Sequence, residues 1–102
     1  MYKLIISEFA HDDLDGIISY ISMELANPIA ASNFVKEVEK CYGHLKNTPY
    51  MYEHCRDPRL KKEDYRRAPI NNYVLLYKVK EDDKVVHIYR IFYGGQDYIN
   101  LI

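Results

Sequence analysis

Three arginines fall inside segments that the sequence predicts to be β-strands, namely Arg66, Arg67 and Arg90. An unpaired charge on a buried sheet face is costly, so each arginine must either pair with a carboxylate or face an open groove. Asp64 and Asp97 are the carboxylates that the sequence places near them. In a groove, a guanidinium group can hold a phosphate through two hydrogen bonds. These arginines are therefore the first candidates for a functional surface.

Groups able to transfer protons accompany the arginines. His87, Tyr89 and Tyr93 alternate along the last predicted strand, which would place them on one side of the sheet. Such a set could cleave RNA without a metal: a base activates the ribose 2′-hydroxyl, an arginine stabilises the charge on phosphorus, and an acid protonates the leaving oxygen. The same tyrosines could equally be the half-buried packing of a sheet, and both interpretations stay open.

The candidate metal ligands in the sequence are Cys41, His44, His54 and Cys55. Cys41 falls on the apolar stripe of a predicted helix, and two adjacent ligands such as His54 and Cys55 suit a tetrahedral site poorly. The sequence contains no phosphate-binding glycine loop, zinc-protease motif or nucleophile elbow. It therefore predicts neither a metal nor a cofactor.

The charges are balanced overall but unevenly distributed. The 102 residues carry a net charge of −1, which excludes a uniformly basic nucleic-acid-binding protein. Residues 8–27 contain five acids and no lysine or arginine, whereas residues 56–80 contain eight bases against three acids. This asymmetry indicates either a mixed solvated surface or a basic groove for phosphate or an acidic partner.

Length and apolar content predict one domain over residues 1–102. No apolar run approaches the roughly 18 residues that a membrane span needs, and the first residues do not resemble a secretory signal. Two cysteines without a paired motif favour a reducing cytosol. We therefore expect a cytoplasmic protein.

Hydrophobic periodicity predicts an edge strand at residues 3–7 and then two helices joined as an antiparallel hairpin. The first helix begins after Ser7 as N-cap, with an apolar stripe at Ala10, Leu14, Ile17, Ile18, Ile21 and Leu25. Asn27 and Pro28 open the second helix, with a stripe at Ala31, Phe34, Val35, Val38, Cys41, Tyr42 and Leu45.

Residues 49–63 show no period and are predicted to form an ordered loop. Strands follow at residues 64–70, 73–80 and 84–93, with Asn71 and Asn72 as a hairpin turn. The order predicts an α+β fold in which the helical hairpin packs on one face of a three-stranded antiparallel meander.

Two segments resemble the RelE/ParE superfamily of bacterial toxins. Residues 65–77, YRRAPINNYVLLY, are similar to its strand–turn–strand signature, and residues 88–98, IYRIFYGGQDY, are similar to its last strand and terminal motif. The opening strand, the acidic first helix and the start of the second helix also fit. The resemblance covers nearly the whole chain.

The resemblance implies a toxin of a type II toxin–antitoxin pair, which a cognate antitoxin holds inactive. Such a toxin would contact operator DNA only indirectly, through the antitoxin. Members similar to RelE cut messenger RNA on the ribosome, and members similar to ParE poison DNA gyrase. The long helical hairpin places this chain closer to ParE. Its functional surface would include the positions that match the family: Arg66, Arg67, Arg90, Tyr93 and Asp97.

Ribonuclease members carry a basic residue where this chain has Val74, and another after the terminal glycine, where it has Gly95 and Gln96. The leading hypothesis is thus a ParE-like toxin that binds a protein target. One alternative is an endoribonuclease that uses Arg66, Arg67, Tyr93 and His87. Another is a degenerate member that binds antitoxin but is no longer toxic.

Overall fold

The computed structural model describes residues 1–102 and contains one four-stranded sheet with the strand order β1-β4-β3-β2. The strands are β1 (Lys3–Ile6), β2 (Arg66–Ile70), β3 (Tyr73–Lys80) and β4 (Val85–Tyr93), and the α-helices are α1 (Glu8–Ser19), α2 (Pro28–Asn47) and α3 (Pro58–Lys62). Strands β2, β3 and β4 form the predicted antiparallel meander, and β1 pairs in parallel with β4 at the edge. The predicted α+β fold is confirmed.

Both long helices begin at the predicted caps. The hydroxyl of Ser7 accepts a hydrogen bond from the Ala10 N–H at 3.0 Å and donates one to the Tyr89 carbonyl at 2.6 Å, so one side chain caps α1 and fastens it to β4. The side chain of Asn27 accepts from the Ala30 N–H at 3.0 Å, and Pro28 occupies the first turn of α2. These caps satisfy amide groups that the first helical turn leaves without partners. No helix combines the length and apolar character needed to cross a membrane.

The helical hairpin packs on one side of the sheet, here called the inner face. The apolar cluster between them includes Ala10, Ile21, Ala31, Phe34, Val38, Cys41, Leu45, Ala68, Ile70, Leu75, Tyr77, Val86, Ile88 and Ile91. Phe34 lies at its centre, 2% exposed, with its ring 4.9 Å from that of Tyr73. The predicted stripes of both helices therefore contribute to the core, with Leu25 and Val35 as the exceptions.

Leu25 is 58% exposed because α1 ends in a π-helical turn, Tyr20–Glu24. The Leu25 N–H bonds to the Tyr20 carbonyl at 3.1 Å, five residues earlier, and Ala26 then adopts a left-handed conformation with φ of 49°. The wider turn takes Leu25 out of the helical register that the stripe assumes. The prediction that Leu25 lies on the buried stripe was wrong.

The opposite side of the sheet, the outer face, is covered over one half only. Cys55, Leu60, Tyr65, Val74, Leu76 and Phe92 form a second apolar cluster there. Helix α3 contributes Leu60, and the C-terminal 3-10 helix Tyr98–Leu101 stacks Tyr98 on Phe92. Residues 58–62 were predicted to be loop, but Asp57 accepts from the Leu60 N–H at 3.1 Å and starts a short helix at Pro58.

A β-bulge in β4 reverses its alternation. Leu76 pairs with Arg90 and Tyr77 pairs with Ile88, so Tyr89 is an extra residue without a partner on β3. His87 and Tyr89 lie on the outer face, with ring centres 6.0 Å apart. Beyond the bulge the inner face takes the odd-numbered residues, and Tyr93 packs there against Tyr73. The prediction that His87, Tyr89 and Tyr93 share one side was wrong for Tyr93.

Strand ends follow the backbone conformation of the turns. Asp64 and Lys84 have positive φ values of 69° and 53°, so β2 and β4 begin later than residues 64 and 84. Asn71 has a φ of 54° in the predicted hairpin turn, a conformation that asparagine tolerates well.

Candidate functional site

A groove of about 820 Å³ lies between α1 and the ends of β3 and β4, and is here called the α1–β4 groove. Its walls include Ile17 and Tyr20 from the helical side and Tyr73, Ile91 and Tyr93 from the sheet. The groove forms because β1 stops pairing at Ile88, which leaves the last residues of β4 to face the helix directly.

Asp13 and Arg90 form an ion pair in one wall of this groove. The Arg90 Nε and Nη2 atoms donate to the two oxygens of the Asp13 carboxylate at 2.8 and 3.0 Å. Hydrogen bonding to Asp13 raises the pKa of Arg90, and burial opposes that rise. The guanidinium also lies 4.5 Å from the centre of the Phe92 ring. Arg90 is therefore held in place with its charge compensated, which suits positioning and contact with a partner.

Tyrosines supply much of the groove surface. Tyr73 and Tyr93 meet edge to face with ring centres 5.8 Å apart, and Tyr93 is 53% exposed. Burial, followed by the nearby Tyr20 and Tyr93, raises the pKa of Tyr73. The Tyr73 hydroxyl thus stays protonated at neutral pH and can donate a hydrogen bond to a bound partner.

Arg66 and Arg67 point to opposite faces of the sheet. The Nη1 atom of Arg66 donates to the Tyr52 carbonyl at 2.7 Å, and its guanidinium lies 5.0 Å from the centre of the Tyr50 ring. Arg67 instead lines an outer-face cavity of about 240 Å³ beside Cys55. The structure does not bring these two arginines together, and neither lines the α1–β4 groove.

The remaining predicted residues are also dispersed. His87 lies on the outer face, and Asp97 accepts a hydrogen bond from Asn100 at 2.8 Å at the start of the C-terminal segment. Asp64 pairs with His54 at 2.7 Å. Neither Asp64 nor Asp97 therefore pairs with a strand arginine, and the carboxylate that does so is Asp13, with Arg90. Of the predicted site residues, only Arg90 and Tyr93 share the groove.

Asp13 is the partner of Arg90 that the sequence did not predict. It lies three residues after Ala10 and four before Ile17, and so projects from the buried side of α1. A carboxylate on the apolar stripe of a helix was the signal, because such a charge requires a partner.

The cysteines and histidines do not form a metal centre. Cys41 belongs to the inner-face cluster and Cys55 to the outer-face cluster, and no three His, Cys, Asp or Glu side chains lie close enough to share an ion. Burial raises the pKa of Cys41 to about 11, which keeps this thiol protonated.

Exposed apolar side chains also lie on the helical hairpin, at the start of α1 and around the hairpin tip. They are Phe9, Tyr20, Met23, Leu25 and Ile29, all of them at least 46% exposed. Two acids of the same segment, Asp12 and Asp13, line the groove. An apolar floor with an acidic border suits an amphipathic segment of a protein partner.

A strand and a helical hairpin followed by an antiparallel meander is the fold of the RelE/ParE toxins. The family model described as the ParE toxin of the type II toxin–antitoxin system parDE matches residues 4–98, and this chain belongs to that family. It is thus a type II toxin–antitoxin system toxin by family.

Solved structures share the fold at low sequence identity. A chain of the chromosomal ParDE system from P. aeruginosa is 21% identical with a TM-score of 0.71, covering 91% of this chain and 96% of its own. A chain of the E. coli RelBE toxin–antitoxin complex is 15% identical with a TM-score of 0.63, covering 94% and 100%. A metal-bound toxin from Helicobacter pylori is 15% identical with a TM-score of 0.67, covering 93% and 97%. No curated protein matches the sequence.

Proposed function

We propose that this toxin arrests growth by binding a protein target such as DNA gyrase, and that a cognate antitoxin neutralises it. The observation that supports binding over catalysis is the separation of the residues that an endoribonuclease would use. Arg66 and Arg67 lie on opposite faces of the sheet, as do His87 and Tyr93. A general base, an acid and a phosphate-binding cation must converge within hydrogen-bond reach of one reacting group.

The positions at which ribonuclease members carry a basic residue, and this chain does not, support the same proposal. Val74 is 1% exposed and packs in the outer-face cluster, under the C-terminal segment and α3. Gly95 and Gln96 follow the end of β4 and carry no charge. None of these three positions therefore supplies a cation that could bind a phosphate.

The α1–β4 groove is the proposed antitoxin site. Its tyrosines and the exposed tip residues offer apolar contact area, and Asp12 in its wall favours an antitoxin segment with lysine or arginine beside its apolar residues. Contact with operator DNA would then come through the antitoxin alone.

Induced expression tests this function. The chain alone should arrest growth, and co-expression with the product of an adjacent small reading frame should restore it. The purified pair should co-elute, and the antitoxin should raise the melting temperature of the toxin by mass action. The double variant Leu25→Asp/Ile29→Asp should lose co-elution, whereas Met51→Asp, also exposed but remote from the groove, should retain it. Growth without arrest by a folded toxin would refute the proposal.

A further inference from the structure

The half of the outer face that α3 and the C-terminal segment leave uncovered carries a row of basic side chains. Lys3 of β1 and Lys80 of β3 both pair with Val85 of β4 and are exposed. Their neighbours Leu4 and Val79 pack into the inner-face cluster, so strand alternation directs both lysines outward.

The next row of the sheet continues this surface. Ile5 of β1 and Lys78 of β3 both pair with His87 of β4, again on the outer face. Ile5 is 41% exposed. We call Lys3, Ile5, Lys78, Lys80 and His87 the basic outer patch.

The lysines of the basic outer patch are not neutralised. Neither Lys3, Lys78 nor Lys80 forms an ion pair, whereas Glu81 at the end of β3 pairs with Lys84 of the same turn. The patch therefore offers three uncompensated positive charges around one exposed apolar side chain.

The aromatic residues beside the patch favour a protein partner over single-stranded nucleic acid. The Lys78 ammonium lies 4.3 Å from the centre of the Tyr65 ring and 5.4 Å from that of Tyr89. These two rings also pack edge to face, with centres 5.3 Å apart. Because the ammonium lies over one face of each ring, it competes there with the base stacking on which single-strand binding depends.

We propose that the basic outer patch binds an acidic segment of a protein, with an apolar residue that contacts Ile5. The inference rests on the proposed function in taking a protein as the target of the toxin. The patch lies on the opposite side of the sheet from the helical hairpin. Target and antitoxin would therefore contact different surfaces of the toxin.

Fluorescence anisotropy with two labelled probes, decaglutamate and a ten-nucleotide oligothymidylate, tests the patch on the intact chain. Wild type should bind decaglutamate, with affinity falling as salt rises. Lys3→Glu/Lys80→Glu should weaken that binding by about tenfold or more, because it replaces two attractions by two repulsions. Lys36→Glu/Lys40→Glu, the same charge change on the exposed face of α2, should change it by less than about twofold.

Equal weakening by both double variants, or tighter binding of oligothymidylate than of decaglutamate, would overturn the proposal. Growth arrest by wild type, measured in parallel, tests the toxin function independently of the patch. Arrest that persists in a folded Lys3→Glu/Lys80→Glu variant would show that the patch is not the target surface, while leaving the toxin function intact.

Discussion

The carboxylate of Asp13 in α1 accepts hydrogen bonds from the end of β4, where β1 no longer pairs with that strand. Its Oδ2 atom accepts the Ile91 N–H at 2.9 Å and the Arg90 Nε–H at 2.8 Å, just beyond the point where β1 stops pairing. The Ser7 hydroxyl, at the start of the same helix, donates a hydrogen bond to the Tyr89 carbonyl of β4. The side chains of Asp13 and of the α1 cap Ser7 thus hydrogen-bond to the edge of β4 and hold the helix beside the groove.

Removal of the Asp13 carboxylate should destabilise the fold. Asp13→Ala leaves the Arg90 guanidinium and the Ile91 N–H without partners, and both side chains of the pair are less than a quarter exposed. Leaving such partly buried groups unsatisfied costs about 1–3 kcal/mol. Urea denaturation should detect this decrease in the free energy of unfolding.

Two further variants make the measurement specific. Asp12→Ala, at the exposed neighbouring position, should change stability by less than about 0.5 kcal/mol. Asp13→Leu/Arg90→Met, which replaces the pair by apolar side chains, should recover much of the loss. If Asp13→Ala and Asp12→Ala are equally stable, the pair does not fasten α1 to β4.

Phe34 carries the packing between the helical hairpin and the sheet. Phe34→Ala should cost about 3–5 kcal/mol, since it removes a buried ring and leaves a cavity. A loss of that size should lower the melting temperature by more than about 10 °C in a domain of this length. Ile29→Ala on the same helix, where the side chain is 75% exposed, is the control. An unchanged melting temperature for Phe34→Ala would contradict the packing described here.

Glu81 should confer a pH-dependent contribution to stability. Hydrogen bonds from Lys84, Tyr2 and Tyr50 lower the pKa of Glu81 to about 2, from an ordinary value of 4.5. Because the folded-state pKa is the lower one, the contribution is complete above pH 4.5 and is lost as the pH falls towards about 2.

The melting temperatures of wild type and Glu81→Gln should therefore differ most near neutral pH and become equal in acid. The Tyr50 hydroxyl donates to Glu81 at 2.7 Å, so Tyr50→Phe should give a smaller difference of the same sign. Carboxyl NMR provides a direct readout of the titration. A Glu81 titration midpoint near that of an ordinary glutamate would be inconsistent with the hydrogen-bonded cluster.

Both thiols should be inert in the folded chain. Cys41 and Cys55 are 5% and 2% exposed, and burial raises the pKa of each. A thiol reagent at roughly pH 8 should modify them only as fast as the protein unfolds. Concentrated guanidinium chloride should make both react at once. Rapid modification of either cysteine in the native protein would place that residue nearer the surface than described.

Local signals in the sequence identified most of the fold. Ser7 and Asn27 cap their helices as expected, and β3 spans the predicted residues because its continuous apolar run and its flanking turns agree. Helix α3 escaped prediction because five residues are too few to display a helical period. Its only signal was Asp57 followed by Pro58, an N-cap and a first-turn proline.

The site was harder to predict because it depends on two irregularities. The π-helical turn moved Leu25 to the surface, and the bulge at Tyr89 moved Tyr93 to the inner face. Each irregularity inserts one extra residue into a helix or strand, so the residues after it face another direction. A prediction from hydrophobic periodicity assumes a regular repeat and misses that shift. The partner of Arg90 depends on where α1 crosses β4, which is a tertiary relationship that residue spacing does not encode.

The most direct test of a binding toxin measures two activities of the same purified wild-type chain in parallel. One assay follows ribosome-dependent cleavage of messenger RNA, and the other follows supercoiling by DNA gyrase. We predict inhibition of gyrase and no RNA product, because the dispersed Arg66, Arg67, His87 and Tyr93 cannot act on one phosphate. Discrete RNA cleavage by wild type that disappears in Arg66→Ala would contradict this account, and the absence of both activities in a chain that binds antitoxin would identify a degenerate toxin.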